Sequence, residues 1–192
     1  MIAIKKHWLY IAAIIAALLQ TGVMLAGVQQ RMSILRNGSE VVLRTVPIDP
    51  RDLMRGEYVI LNYDISRLPV ALVQGEPPHK SGLNYIYVVM ARQKNDMWEP
   101  QRAQFEPAND LKDDEIMLRG EMEAPMQRYN GSTMPVTYGI ERYYVPEGEG
   151  RVLETAQIAS KVDIVLSVNS KGVAAIRAIK VDGQTMYKEP LF

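Results

Sequence analysis

Hydrophobic and polar positions follow two regimes along the chain. Residues 8 to 28, WLYIAAIIAALLQTGVMLAGV, carry no charge and are apolar on every helical face. From Ser39 onward, apolar positions recur in short runs of period two, cut by Gly, Pro, Asn and Asp. At about 1.5 Å per residue the first run spans roughly 30 Å, the thickness of a bilayer's hydrocarbon core. QQRMSILRNG continues it without a breaker to Asn37-Gly38, a helix-stop signal. One long helix is therefore expected from about residue 4 to 36, its last turns standing in water.

The remainder reads as strands. SEVVLRTVP closes on Pro47. EYVILNYDI (57–65) follows a proline-led turn, DPRDLMRG, in which Asp49 can cap, Pro50 fits the first helical position and Gly56 can take a positive φ. On that strand Tyr58, Ile60 and Asn62 face one way, and Val59, Leu61 and Tyr63 the other. Both faces are apolar, which predicts a place in mid-sheet or in a barrel wall. LNYIYVVMARQ and WEPQRAQF pair as a hairpin across KNDM. DDEIMLRGEMEA and MPVTYGIERYYV are further strands. VDIVLSVNSKGVAAIRAIKVDGQTMY reads as two long strands joined at NSKG, with a turn at Asp182-Gly183 before a short last strand. Only EGRVLETAQIAS, residues 149–160, has helical character, and QGEPPHKSG and EPANDLKDD are the expected exposed connections. The pattern predicts a mainly β, antiparallel, barrel- or sandwich-like domain over residues 38–192, behind an anchor and juxtamembrane helix over 1–37.

Composition removes several function classes. Lys+Arg and Asp+Glu both number 22, so no basic surplus marks a nucleic-acid surface. The absence of cysteine removes disulfides, thiolate metal sites and cysteine nucleophiles. His7 borders the apolar run and His79 lies in a Pro-rich loop, places that suit neither a metal site nor a Ser-His-Asp triad. No phosphate loop, dinucleotide fingerprint or metal motif appears, and no cofactor or metal is expected.

The apolar run also carries membrane signals. Trp8 and Tyr10 sit where amphipathic rings favour the headgroup interface, behind Lys5, Lys6 and His7. A cleaved signal peptide fits poorly, because the best cut, after Gly27, leaves Leu25 at −3. A lipoprotein signal needs cysteine where Val28 stands. The expectation is an uncleaved signal anchor: single-pass in the inner (cell) membrane of a bacterial envelope, N-terminus cytoplasmic, domain periplasmic. Arg31 and Arg36 make the positive-inside margin thin. Ala13, Ala17 and Thr21, and Gly22 with Ala26, form small-residue stripes that let a second transmembrane helix approach.

Two dense stretches carry the candidate chemistry. Arg55 and Glu57 flank Gly56, and YGIERYYVPEGEGRVLE (138–154) places Glu141 and Tyr143 on one strand face, Arg142 and Tyr144 on the other. Should that strand lie beside residues 57–64, Arg142 meets Glu57 or Glu141 meets Arg55. Arg55, Glu57, Glu141, Arg142 and Tyr143 then form a polar cluster, either a structural latch or a ligand cleft. As a solvated surface pair, Arg55 and Glu57 contribute less than about 1 kcal/mol. A serine–lysine pair resembling the signal peptidase arrangement would have to use Ser39 and Lys94, but Ser39 follows an Asn-Gly turn with no supporting motif. Glu147, Glu149 and Glu154 cluster near Glu141, and their place at a helix start explains them without catalysis.

GEYVILNY, residues 56–63, resembles the signature of the GDYXXLXY family, membrane-anchored bacterial proteins that carry no assigned activity. Gly56, Tyr58, Leu61 and Tyr63 match, and Glu57 stands in place of Asp. VPIDPRDLMRG and YGIERYYVPEGEG also look like family blocks. The resemblance implies one N-terminal helix, one β-rich domain, and genes placed beside or fused to a multi-spanning membrane protein. It points to an accessory or binding subunit more than to an enzyme, with the lipid bilayer and that membrane protein as partners, and the balanced charge gives no nucleic-acid partner. An envelope hydrolase with a non-standard site and a small-ligand sensor domain are the alternatives. The extra methylene of Glu57 suits a capping role better than a catalytic one.

Overall fold

The computed structural model describes residues 6–47, 58–78, 82–124, 132–145, 150–159 and 161–190. Helix α1 runs unbroken from Lys6 to Asn37. From His7 to Val28 it is exposed on all faces, so the domain covers none of its apolar surface. It is long and apolar enough to cross a membrane.

The last turn of α1 departs from the expectation that it stands in water. Ile34 and Leu35 are buried against Ala175 and Val173. Two adjacent apolar side chains facing an alanine on a sheet account for the docking, since burial stabilises such a side chain by about 1.5–3 kcal/mol. The Ile34 carbonyl, left over at the helix end, accepts from the Gly38 N–H at 2.9 Å and from the Ser167 hydroxyl at 2.6 Å. Gly38 is required by crowding rather than by a positive φ. A Cβ there would stand 2.5 Å from Ser167 Oγ, 2.7 Å from the Ile34 carbonyl oxygen and 2.9 Å from the Val168 nitrogen.

Thirteen strands follow among the described residues: β1 Ser39–Val46, β2 Tyr58–Ile60, β3 Asn62–Tyr63, β4 Arg67–Pro69, β5 Val73–Gln74, β6 Gly82–Arg92, β7 Trp98–Gln104, β8 Glu115–Ala124, β9 Thr133–Pro135, β10 Arg142–Tyr144, β11 Val162–Val168, β12 Ala174–Val181 and β13 Gln184–Lys188. Helix α2, Gly150–Ile158, is the short helix expected near residues 149–160. The larger sheet has the order β13-β12-β11-β1-β3 and is antiparallel throughout. The second has the order β5-β7-β6-β8, with one parallel pair, β5 with β7. These sheets do not close into a barrel. Alternation drives the pairing: Val41, Leu43 and Thr45 of β1 point inward, and Glu40 and Arg44 outward. Asp182 (φ 51°) and Gly183 (φ 79°) form a two-residue turn between β12 and β13, the geometry that matches strand twist. The expected hairpin across KNDM is β6 with β7.

Two expectations of continuous strands fail, and they fail opposite each other. The run 57–65 breaks at Leu61, ends as strand at Tyr63 and passes into a 3₁₀ turn, Asp64–Ser66. MPVTYGIERYYV divides into β9 and β10, with a bend carrying Gly139 at φ +77°. The cause is a change of partner: β2 pairs with β10, β3 with β1, and β4 with β9. Residues 58–70 and 132–145 thus form an interrupted antiparallel ribbon at the seam of the two sheets. Thr45↔Tyr63 joins it to the larger sheet, and a bridge between Thr137 and Glu121 joins it to β8. The connection after β7 is also less exposed than expected, with Ala108 buried against Val89 and Met117.

Candidate interaction site

The interruption in the ribbon leaves backbone carbonyls without ladder partners, and buried carbonyls need donors. Two tyrosines supply them reciprocally. Tyr63 Oη donates to the Ile140 carbonyl at 2.7 Å, and Tyr138 Oη donates to the Ile65 carbonyl at 3.0 Å. Each hydroxyl crosses from one side of the ribbon to the other. The Leu61 N–H donates to the Glu141 carbonyl at 2.8 Å, and the Glu141 carboxylate accepts from the Tyr138 N–H. The inward residues Val59, Leu61, Tyr63, Tyr138, Ile140 and Tyr143 all belong to the main core.

Burial pushes the phenols of Tyr63 and Tyr138 well above their ordinary range, and the Glu141 carboxylate adds to the rise. A raised folded-state phenol contributes stability that is complete below about pH 10 and is lost as pH climbs toward the folded value, because the unfolded chain then binds fewer protons. Stability is expected to fall above pH 10 by about 1.4 kcal/mol per pH unit for each of these phenols. Urea midpoints across that range check this, and Tyr63→Phe/Tyr138→Phe is expected to flatten the dependence.

The outward face of the ribbon differs. Tyr58 and Tyr144 are cross-strand partners with ring centroids 5.9 Å apart, and the Arg142 guanidinium lies 5.6 Å from the Tyr58 centroid. Tyr144 is 71% exposed. The three form a Tyr–Arg–Tyr platform on paired strands, and the buried tyrosines latch the neighbouring carbonyls of Ile140 and Ile65 on the ribbon's other face.

The expected juxtaposition of the two dense stretches is present: Arg142 opposes Ile60, Tyr143 opposes Val59, and Tyr144 opposes Tyr58. Arg55, Gly56 and Glu57 lie outside the described residues, and with them the expected pairs Arg142–Glu57 and Glu141–Arg55. Tyr143 is a core side chain whose phenol burial raises, helped by its hydrogen bond to Glu189. Of the family motif, Leu61 and Tyr63 are core and Tyr58 faces outward. Sequence reasoning did not single out Tyr138 as a partner of Tyr63; a tyrosine beside a glycine in mid-strand was the available signal. Ser39 opens β1 opposite Val168, whereas the turn holding Lys94 lines a cleft together with Leu43 and Arg44, which lie about 13 Å along β1 from Ser39. Among the described residues no cluster of His, Asp or Glu is arranged to hold a metal. A cleft of about 240 Å³ between β8 and the β11–β12 turn is lined by Arg119, Glu121, Thr137, Tyr138 and Val173.

No curated protein and no solved structure matches the chain. A family model, described as GDYXXLXY protein, matches residues 20–179, from inside α1 into β12. That span takes in the tyrosine-latched ribbon, the smaller sheet, the larger sheet except β13, and the helix junction, and the chain belongs to the GDYXXLXY family.

Proposed function

We propose that this chain is a membrane-anchored accessory or binding subunit that docks on a multi-spanning membrane protein of the bacterial envelope. The anchor is α1, with the N-terminus cytoplasmic and the domain outside. The observation that carries the reading is the Tyr58–Arg142–Tyr144 platform. Tyrosine and arginine are the residues that concentrate binding energy at protein interfaces, and rigid rings lose little entropy on docking. Here Arg142 and Tyr144 stand exposed, with Tyr58 half-buried beside them, on a ribbon whose inner face is committed to the core. The small-residue stripe Ala13/Ala17/Thr21 offers a second contact within the membrane.

The test is recovery of the partner from native membranes after mild crosslinking, comparing wild type with Arg142→Glu/Tyr144→Ala and with Ala13→Leu/Ala17→Leu. Because Arg142 and Tyr144 are exposed, their replacement is expected to move domain stability by no more than about 0.5 kcal/mol while lowering recovery at least about tenfold. Full recovery in both variants would sink the reading.

A further inference from the structure

We infer that the end of the domain around the exit of α1 binds anionic phospholipid headgroups through Arg31, Arg36 and Lys171. The inference rests on α1 crossing a bilayer, as proposed above. The apolar run ends at Val28, and the domain begins at Ile34, which is already buried against the sheet. Those residues span about 9 Å of helix, while a headgroup layer is about 5–8 Å thick. No slack intervenes, because the Ser167 and Gly38 contacts fasten the helix end to the domain. A lipid surface is therefore the surface that α1 itself brings to this end.

Three exposed cations, Arg31, Arg36 and Lys171, stand at this end of a chain that is neutral as a whole. Arg31 lies within the first turn beyond Val28, and Arg31 and Arg36 are exposed. Lys171 is exposed on the β11–β12 turn, whose Val173 packs on the Ile34/Leu35 cluster. Asn169 Oδ1 accepts from the N–H groups of Lys171 at 3.0 Å and Val173 at 2.9 Å, which stiffens the turn. Acids also stand near: Glu40 is 3.8 Å from Arg177, Glu189 is engaged with the Tyr143 hydroxyl, on which the Arg31 charge also acts, and Glu121 lines a cleft with Val173. Arg31 falls within the headgroup layer, whereas Arg36 lies about 12 Å beyond Val28 and meets the phosphates through its long side chain, which tilts back toward the helix N-terminus. Each cation near an anionic surface is worth about fivefold in affinity.

The absence of cysteine gives a clean test, since Ser170→Cys on the exposed turn supplies a unique fluorophore site. Full-length chain is placed in nanodiscs containing phosphatidylcholine and phosphatidylglycerol. Energy transfer from position 170 is then measured to headgroup-labelled probes of each lipid. Stronger transfer to phosphatidylglycerol is expected, reduced at least about tenfold as a preference by Arg31→Gln/Arg36→Gln/Lys171→Gln at an unchanged melting temperature. Equal transfer to both lipids in a folded, inserted wild type would overturn the inference, as would a preference that survives in the triple variant. Failure of the anchoring itself is seen separately, as a chain that carbonate extracts from the membrane.

Discussion

Tyr63→Ala is expected to destabilise the domain by about 4–6 kcal/mol, enough to leave an ordinary domain largely unfolded. Tyr63 is 1% exposed, and its ring fills the core where β3 meets β1. Truncation removes that packing, worth about 3–5 kcal/mol for a large aromatic, and leaves the Ile140 carbonyl buried without its donor. Tyr63→Phe separates the two contributions by keeping the ring, and a loss of about 1–2 kcal/mol is expected. Tyr58 carries the same side chain on the outward face, so Tyr58→Ala is expected to cost less than about 1 kcal/mol. Thermal and urea unfolding by circular dichroism compares all three. Equal losses for Tyr58→Ala and Tyr63→Ala would contradict the division into an inner latch and an outer platform.

Gly38→Val is expected to release the end of α1 from the domain at a cost of about 3 kcal/mol. Ser167 can rotate away from a new Cβ. The Ile34 carbonyl and Val168 nitrogen are backbone, so relief must come by moving the helix or β11. Moving the helix uncovers Ile34 and Leu35 and breaks the bonds to the Ile34 carbonyl. Amide hydrogen exchange over residues 34–39 reads this directly, and an acceleration of about a hundredfold corresponds to that cost. Gly27→Ala is the control, since a Cβ there meets nothing within 4 Å. Unchanged exchange in Gly38→Val would mean that the helix is tethered rather than docked.

Much of this architecture is legible from local chemistry. The unbroken apolar run and the Asn37-Gly38 stop mark α1, the Asp182-Gly183 turn marks the last hairpin, and period-two alternation puts Val59, Leu61 and Tyr63 on one face, which the structure turns inward. Features set by distant partners were not legible. The break at Leu61 comes from a switch between β10 and β1, which lie on opposite sides of it in sequence. The docking of Ile34 and Leu35 depends on Ala175 and Ser167, more than a hundred residues away. Of the candidate site, adjacency of the two dense stretches was readable as a possibility of pairing, but the tyrosine cross-latch was not. A hydroxyl finds its carbonyl only after the ribbon's interruption has freed one.

The most direct measurement is site-specific photo-crosslinking in native membranes, with the photoreactive residue placed at Tyr144 and, as a control, at Leu111, another exposed apolar position of the domain. A discrete adduct to one membrane protein from position 144, and none from 111, is the result expected if the Tyr58–Arg142–Tyr144 platform is the docking face. No adduct from 144, or the same adducts from both positions, would contradict docking through that face.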